Sequence, residues 1–456
     1  METPGLCPRP HGGFAPRPHQ GNVPWTAIDF GRLLREGLTR TVQQPRMALP
    51  QQPTNPGVPR ASPWRVRRAE PSRGPGQRPG VSIARTLALI LALLVLVPGP
   101  AGAGPAVDRV AALRRGVNVT GWFRFPGMLR GWMGDAAMRD LRAAGFTFVR
   151  LAVDPAVVEG RVARLILLDA VARFQRAGLA VVVSAHPVGW RVDAGDGERL
   201  LGFWRGMARD LRGTDPGRVF VEPMNEPVFQ GAAGAWHALQ RRLLAAVRAE
   251  LPRHTVVLTG RDWGSIGGLL ELVPEPDGNV VYSFHFYDPP ELTSLAAYRQ
   301  GLDRAALARL PFPAGEAESC RRVAAGAGDA PTRDLMAFYC GMGWNAARVA
   351  LRLGEAADWA RRHGAVLVAG EFGASLALNP EARTAWLRLV RETCEQMGIG
   401  WALWGYDDIM GFGVPRPPPD KPLLDRSTLT ALGLRVPVFE KPQAPPRKNP
   451  RPLGQG

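Results

Sequence analysis

Between residues 106 and 440, short runs rich in Val, Ile and Leu alternate with longer stretches of helical composition, and no other feature limits the fold so strongly. The strand-like runs are 116–119, 147–153, 180–185, 219–222, 256–258, 280–284, 366–369 and 399–404. Helix-like stretches at 136–144, 163–177, 198–211, 235–251, 346–363 and 381–397 occupy most of the gaps. Apolar runs without polar alternation read as parallel strands buried on both faces. Eight of them with helices between predict an α/β fold, a (β/α)8 TIM barrel. A doubly wound open sheet is the alternative, but nothing resembling G-x-G-x-x-G follows the first run. The stretch 288–344 is too long for an ordinary βα loop and predicts an insertion after strand 6 with small elements of its own. The Pro-rich run 414–422 and the segment to Glu440 read as a C-terminal extension packed on the barrel.

The ends carry most of the charge. The chain has 456 residues and a formal charge of +17, which read globally suggests a nucleic-acid or membrane-surface partner. Residues 1–85 hold 13 Arg against four acids, and the tail from Lys441 adds four basic residues and no acid, so 86–440 keeps only +4 of the +17. That balance points away from nucleic acid. Residues 1–80 are rich in Pro, Gly, Arg and Gln without a period of 2 or 3.6, and read as a disordered leader; 441–456 read as a disordered basic tail.

Residues 87–97 (LALILALLVLV) are apolar, follow Arg85 and precede the small-residue site Ala101-Gly102-Ala103. The run is short for a span of about 20 residues. Segment 81–103 therefore reads as a secretory signal, or as an uncleaved anchor, with the true start near Met47 or Val81. An exported, periplasmic or extracellular protein is expected, and a membrane association only if the anchor persists.

In such a barrel the catalytic groups project from the carboxyl ends of the strands. Asn118 and Trp122 follow strand 1, Arg150 and Asp154 strand 2, His186 and Trp190 strand 3, and Asn225 and Glu226 strand 4. Asp262 and Trp263 follow strand 5, His285 and Tyr287 strand 6, Glu371 strand 7, and Trp404, Asp407 and Asp408 strand 8. Cleaving an acetal needs a proton donor for the leaving oxygen and a carboxylate near the anomeric carbon, while indole faces pack on pyranose rings. Glu226 and Glu371, three strands apart around the ring, are the natural pair. Glu222 would lie deeper in the barrel and reads as structural. Trp122, Trp190 and Trp263 are candidate subsite aromatics.

Met224-Asn225-Glu226-Pro227 and Val368-Ala-Gly-Glu371-Phe-Gly, with Arg150, His186, His285, Tyr287, Trp404 and the opening Arg115-Gly-Val-Asn118, resemble glycoside hydrolase family 5, the cellulase family, over roughly 113–410. The resemblance implies a retaining glycoside hydrolase acting on a β-linked polysaccharide or oligosaccharide, in the manner of an endoglucanase. Glu226 would be the acid/base and Glu371 the nucleophile, with Glu226 of higher pKa. Arg150 and Tyr287 would hold Glu371, Asn225 would bind the 2-hydroxyl, His186 and His285 would shape adjoining subsites, and Trp404 would floor the cleavage site. An exo-β-1,3-glucanase, a mannanase, a glycosyl-lipid hydrolase or a non-catalytic carbohydrate-binding envelope protein are the alternatives.

Cys320 and Cys340 both fall in the insertion, where a disulfide is plausible for an exported protein, Cys394 reads as a buried thiol, and Cys7 belongs to the leader. No His/Cys/Asp spacing suggests a zinc or calcium site, so no metal or cofactor is expected, and the protein is expected to be a monomer.

Overall fold

The computed structural model describes residues 107–129, 133–190, 194–228, 233–315, 317–415 and 424–437. The leader, the signal or anchor and the basic tail lie outside the described residues. Among the described residues no helix is long and apolar enough to cross a membrane.

Eight parallel strands close on themselves in sequence order, β1 (Arg115–Phe123), β2 (Phe148–Val153), β3 (Ala180–Ala185), β4 (Val219–Glu222), β5 (Val256–Thr259), β6 (Val280–Phe286), β7 (Leu367–Phe372) and β8 (Gly400–Leu403). This is a (β/α)8 barrel. The main helices are Asp135–Ala144, Arg161–Arg176, Ala194–Asp210, Ala233–Glu250, Ala346–His363 and Pro380–Gln396, close to the stretches the periodicity predicts. Only short helices separate β5 from β6.

Strand alternation divides the core into two layers. Phe148, Val182, Phe220, Val257, Val281 and Val368 pack together inside the barrel, while Val149, Val181, Val221, Leu258 and Phe284 pack outward with the helices. Each such side chain, fully removed from water, contributes about 1.5–3 kcal/mol. Two residues further along the same inner faces stand Arg150, Ser184, Glu222 and Ser283, so the apolar plug gives way to a polar layer nearer the carboxyl ends.

One strand breaks this alternation. Phe284 and Ala369 are paired, but the next pair is His285 with Glu371, so β7 carries an extra residue at Gly370. Ala369 and Phe372 both pack in the outer core, and strict alternation would have turned Glu371 outward with one of them. The bulge turns its carboxylate inward instead. Glycine suits this position, because a Cβ would lie 2.4 Å from Ser283 Oγ and force that side chain to shift.

The segment after β6 contains the helices Pro290–Thr293, Arg304–Leu307, Ala317–Ala325 and Ala330–Met342, as an insertion predicts. It is tied to the barrel mouth by Thr293, whose hydroxyl donates to the Tyr287 carbonyl at 2.6 Å and whose own carbonyl accepts from Ser375 N at 2.7 Å. A disulfide joins Cys320 to Cys340, 20 residues apart, across the last two helices. Closing a loop of that length stabilises the fold by about 3 kcal/mol. A Cys320→Ser/Cys340→Ser variant should therefore melt lower by calorimetry, and a midpoint unchanged from the parent would mean the bridge constrains nothing. Cys394 is a buried free thiol whose pKa burial pushes up to about 12. In the C-terminal extension, the helix Arg426–Ala431 docks through Thr428, whose hydroxyl accepts from the buried Arg383 at 2.7 Å.

Candidate active site

The polar layer is organised by one arginine. Arg150, on β2 and 2% exposed, donates from Nε to Glu222 Oε2 at 2.5 Å, from Nη1 to Asn118 Oδ1 at 2.9 Å and to Glu371 Oε1 at 2.8 Å, and from Nη2 to Asn225 Oδ1 at 2.6 Å. One guanidinium thus fixes side chains from β1, β4, the loop after β4, and β7. Burial opposes its charge, but the attraction of Glu222 and Glu371 outweighs this and holds its pKa above the ordinary value. Glu222 is fully buried beneath the mouth as Arg150's other partner, where the sequence reading puts a structural acid. Asn118 adds two bonds of its own, donating to the carbonyls of Gly370 at 3.0 Å and Leu403 at 3.2 Å.

Glu371 is 1% exposed, and its second oxygen accepts from the Tyr287 hydroxyl at 2.9 Å. Burial pushes its carboxyl above the ordinary range, with the charge of Glu226 adding to the effect, while His285 and Arg150 pull it down without cancelling it. The Tyr287 phenol, raised well above its usual pKa by burial and by Glu371, stays protonated and donates. A Tyr287→Phe variant removes a bond that favours ionised Glu371, so the acidic limb of kcat/KM should move to higher pH and kcat/KM should fall about ten- to hundredfold. An unmoved limb in a pH–rate profile would separate Tyr287 from the ionisation of Glu371.

Glu226 lies past the end of β4, with its side chain 11% exposed, and its Oε1 is 2.8 Å from His285 Nδ1. The same nitrogen is 3.5 Å from Glu371 Oε2. Burial lowers the pKa of His285, while the charge of Glu371 works against that shift. His186 is lowered further by burial and by Arg150, and its ring lies nearly parallel to that of Trp404, 18° apart at 5.8 Å. One donor atom each from Glu226, His285 and Glu371 fall within 4.8 Å of one another. Such a trio has the chemistry of a cation site. Here, however, both Glu371 oxygens are already engaged by Arg150 and Tyr287, and the fixed guanidinium charge beside them opposes a divalent ion.

Beside this cluster opens a cavity of about 200 Å³, lined by Glu226, Trp263, His285, Tyr287, Trp404 and Asp408 together with Ser294 and Tyr298 of the insertion. All eight residues of the sequence constellation therefore converge on one rim.

Not every aromatic joins them. Trp122 is 2% exposed and turns outward after a register shift in β1, packing on Phe123 and edge-on to Phe174, with its indole N–H donating to the Leu129 carbonyl. It is a core residue and not a subsite aromatic. Trp190 is half-buried against the core, with Arg199 over its ring, and is not among the residues that line this cavity. Trp263 does face the cavity, from a left-handed backbone turn at φ 62°. Asp407 accepts from Thr120 N at 2.7 Å and Thr120 Oγ1 at 2.8 Å, a tie between β1 and the loop after β8. The sequence reading missed Tyr298 and Arg352, which line the cavity from the insertion and the helix after it, and the pairing of Arg352 with Asp288 at 3.5 Å. Their only signal was the length of the insertion.

Residues 114–408 match the family model described as cellulase, glycosyl hydrolase family 5. Endoglucanase 3 of Fibrobacter succinogenes is 23% identical over 327 residues, covering 64% of this chain and 49% of that protein, so the match spans about half of that relative. Endoglucanase C of Acetivibrio thermocellus is 21% identical over 328 residues, 65% of this chain and 92% of the relative. Among solved structures, a hyperthermophilic endo-β-1,4-glucanase in complex with substrate superposes with a TM-score of 0.59 at 19% identity, covering 72% of this chain and 98% of that one. An endoglucanase of Thermotoga maritima gives 0.58 at 20% identity, covering 71% and 98%. At such identities the structural likeness speaks for the fold, and the family match over most of the barrel carries the assignment: the chain belongs to the cellulase family, glycosyl hydrolase family 5.

Proposed function

We propose that the barrel hydrolyses β-glycosidic bonds of a β-glucan with retention of configuration. The observation that carries this reading is the approach of Glu226 and Glu371, whose nearest oxygens lie within 4.8 Å. Carboxyl pairs about 5–5.5 Å apart belong to retaining glycosidases, whereas inverting ones need about 6.5–9.5 Å to admit a water.

In the first step Glu371 attacks the anomeric carbon as its bond to the leaving oxygen breaks, and Glu226 gives that oxygen its proton. A glycosyl ester on Glu371 results. In the second step Glu226 takes a proton from water, the water oxygen attacks the same carbon, and the Glu371 carboxylate leaves. Arg150 and Tyr287 receive the returning negative charge with donors already in position, which is the preorganisation that makes electrostatic stabilisation effective. Asn225, oriented by Arg150, is aimed at the sugar 2-hydroxyl, and Trp404 offers the ring face on which the sugar rests.

The relatives' names favour an endoglucanase acting on β-1,4-glucan. A product profile on β-1,4-glucan, β-1,3-glucan, mixed-linkage glucan and mannan tests the linkage. Trapping with a 2-deoxy-2-fluoro glycoside tests the chemistry: the label should sit on Glu371 by peptide mass spectrometry, and a label elsewhere, or α-configured first product by NMR, would sink retention through this residue. Export of the protein is part of the same reading, supported by the apolar run 87–97 and its small-residue flank. Recovery of the barrel only from the cytoplasmic fraction would remove that part.

A further inference from the structure

The His285 ring meets both carboxylates through one nitrogen and leaves the other without a partner. Its Nδ1 lies 2.8 Å from Glu226 Oε1 and 3.5 Å from Glu371 Oε2. Its Nε2 is buried and makes no hydrogen bond among the described residues, and neither does the buried Oγ of Ser283, two residues back on the same inner face of β6. Buried polar side-chain atoms are nearly always paired, with protein or with an ordered water. These two atoms are neighbours. A Cβ placed on Gly370 would lie 2.4 Å from Ser283 Oγ and 3.6 Å from His285 Nε2, so both border the notch that the bulge glycine leaves in β7. On its other edge the ring rests against Gly264, where a Cβ would come within 3.5 Å of Cγ and Nδ1. The ring is thus held between two glycines, with Nδ1 toward the carboxylates and Nε2 toward Ser283.

A neutral imidazole has one N–H and one lone pair, and the partner at each nitrogen decides which of them carries the proton. Burial favours the neutral ring. An ionised Glu371 offers Nδ1 only acceptors, so the proton belongs on Nδ1, and Nε2 is left with a lone pair that needs a donor. We propose that the Ser283 hydroxyl is that donor, across the notch at Gly370, and that Ser283 is a positioning residue holding His285 in the Nδ1–H form. Its catalytic consequence rests on the retaining-hydrolase reading above. In the Nδ1–H form His285 donates to Glu226 Oε1, and the acid proton stays on the other oxygen, free for the leaving group. In the opposite form Nδ1 would draw the Glu226 proton into a bond of its own and turn a lone pair toward Glu371. The other charged and titratable groups that face the ring are Arg150 on β2, Glu222 on β4 and His186 after β3.

Nitrogen NMR of the protein labelled with 15N-histidine reads the tautomer directly, with His285→Gln identifying the signals. The proton should be bonded to Nδ1, and Ser283→Ala should move the Nε2 resonance. A proton on Nε2 or a doubly protonated ring, both readable without any change at Ser283, would overturn the proposal, as would an Nε2 resonance that Ser283→Ala leaves unmoved. Ser184 is an equally buried hydroxyl on β3, also without a hydrogen bond among the described residues. Ser184→Ala should leave the His285 resonance in place, and the same shift in both variants would mean that the layer merely loosens, which also overturns it. In kinetics, Ser283→Ala should lower kcat/KM about three- to tenfold. The basic limb should move to higher pH, because a weaker Nδ1–H bond favours the ionised form of Glu226 less. A limb that stays in place would overturn the positioning role. If the parent protein cleaves no β-glycoside while the nitrogen resonances behave as expected, the pairing of Ser283 with His285 stands and the hydrolase reading falls instead.

Discussion

Replacing Glu371 with Gln is expected to lower kcat/KM on the order of 10⁴-fold or more while leaving the barrel folded, because the amide is nearly isosteric but cannot form the glycosyl ester. The effect is large because neither neighbouring glutamate can take its place. Glu226 is directed at the leaving oxygen, and Glu222 is fully buried below the mouth in its bond with Arg150. Chemical rescue distinguishes the two acids. In Glu226→Ala the covalent step remains, so added azide should intercept the glycosyl ester and release a β-glycosyl azide. In Glu371→Ala azide would replace the nucleophile itself and give the α product. Residual activity of Glu371→Gln near the parent value would end the assignment, and the same azide anomer from both variants would end the division of roles. The pH profile carries an independent sign. Glu371 acts only when ionised, and burial raises its pKa, so the acidic limb of kcat/KM belongs above the value near 4.3 of an unperturbed glutamate.

The second large effect is on stability. Arg150→Met should cost about 3–5 kcal/mol, since it leaves the carboxylates of Glu222 and Glu371 buried without their cation. Urea unfolding measures this directly as a lower midpoint at unchanged slope. A companion variant, Arg150→Met with Glu222→Gln, removes one of the stranded charges and should recover part of the loss. If the double variant is no more stable than the single one, the cost arises from lost packing and not from uncompensated charge. Activity should not recover in parallel, because Glu371 would still lack a donor to its Oε1 and would ionise only at higher pH. That dissociation of stability from activity is the signature of a residue that serves both.

Much of the site was legible beforehand for a physical reason. In a parallel barrel each strand delivers its carboxyl end to the same rim, so a one-dimensional order of strand ends maps onto a ring of neighbours. Arg150, Asn225, Glu226, His285 and Tyr287 needed no more than that. The aromatic residues were less legible, because an indole beside a strand end serves equally as core or as platform. Trp122 and Trp263 have the same sequence context, yet a register shift sends the first into the outer core while a left-handed turn sets the second against the cavity. Strand ends also ran longer than the apolar composition implied. β6 extends to Phe286 and β7 to Phe372, so His285 and Glu371 stand within hydrogen-bonded strands, which fixes them more tightly than loops would.

What the sequence determined by itself was the number and order of strands, the pairing of Glu226 with Glu371 as acid and nucleophile candidates, and the near-neutral charge of the barrel segment. Each follows from local pattern or from counting. The tertiary structure decided the rest. It decided that a bulge at Gly370, made possible by the missing Cβ beside Ser283, turns Glu371 into the barrel when alternation would have turned it out. It also gathered Glu222, Asn118, Asn225 and Glu371 around one guanidinium, and set Arg124 against Trp404. These arrangements join residues as much as 280 positions apart (Arg124 and Trp404), and register and closure, which only the assembled sheet possesses, are what bring them into contact.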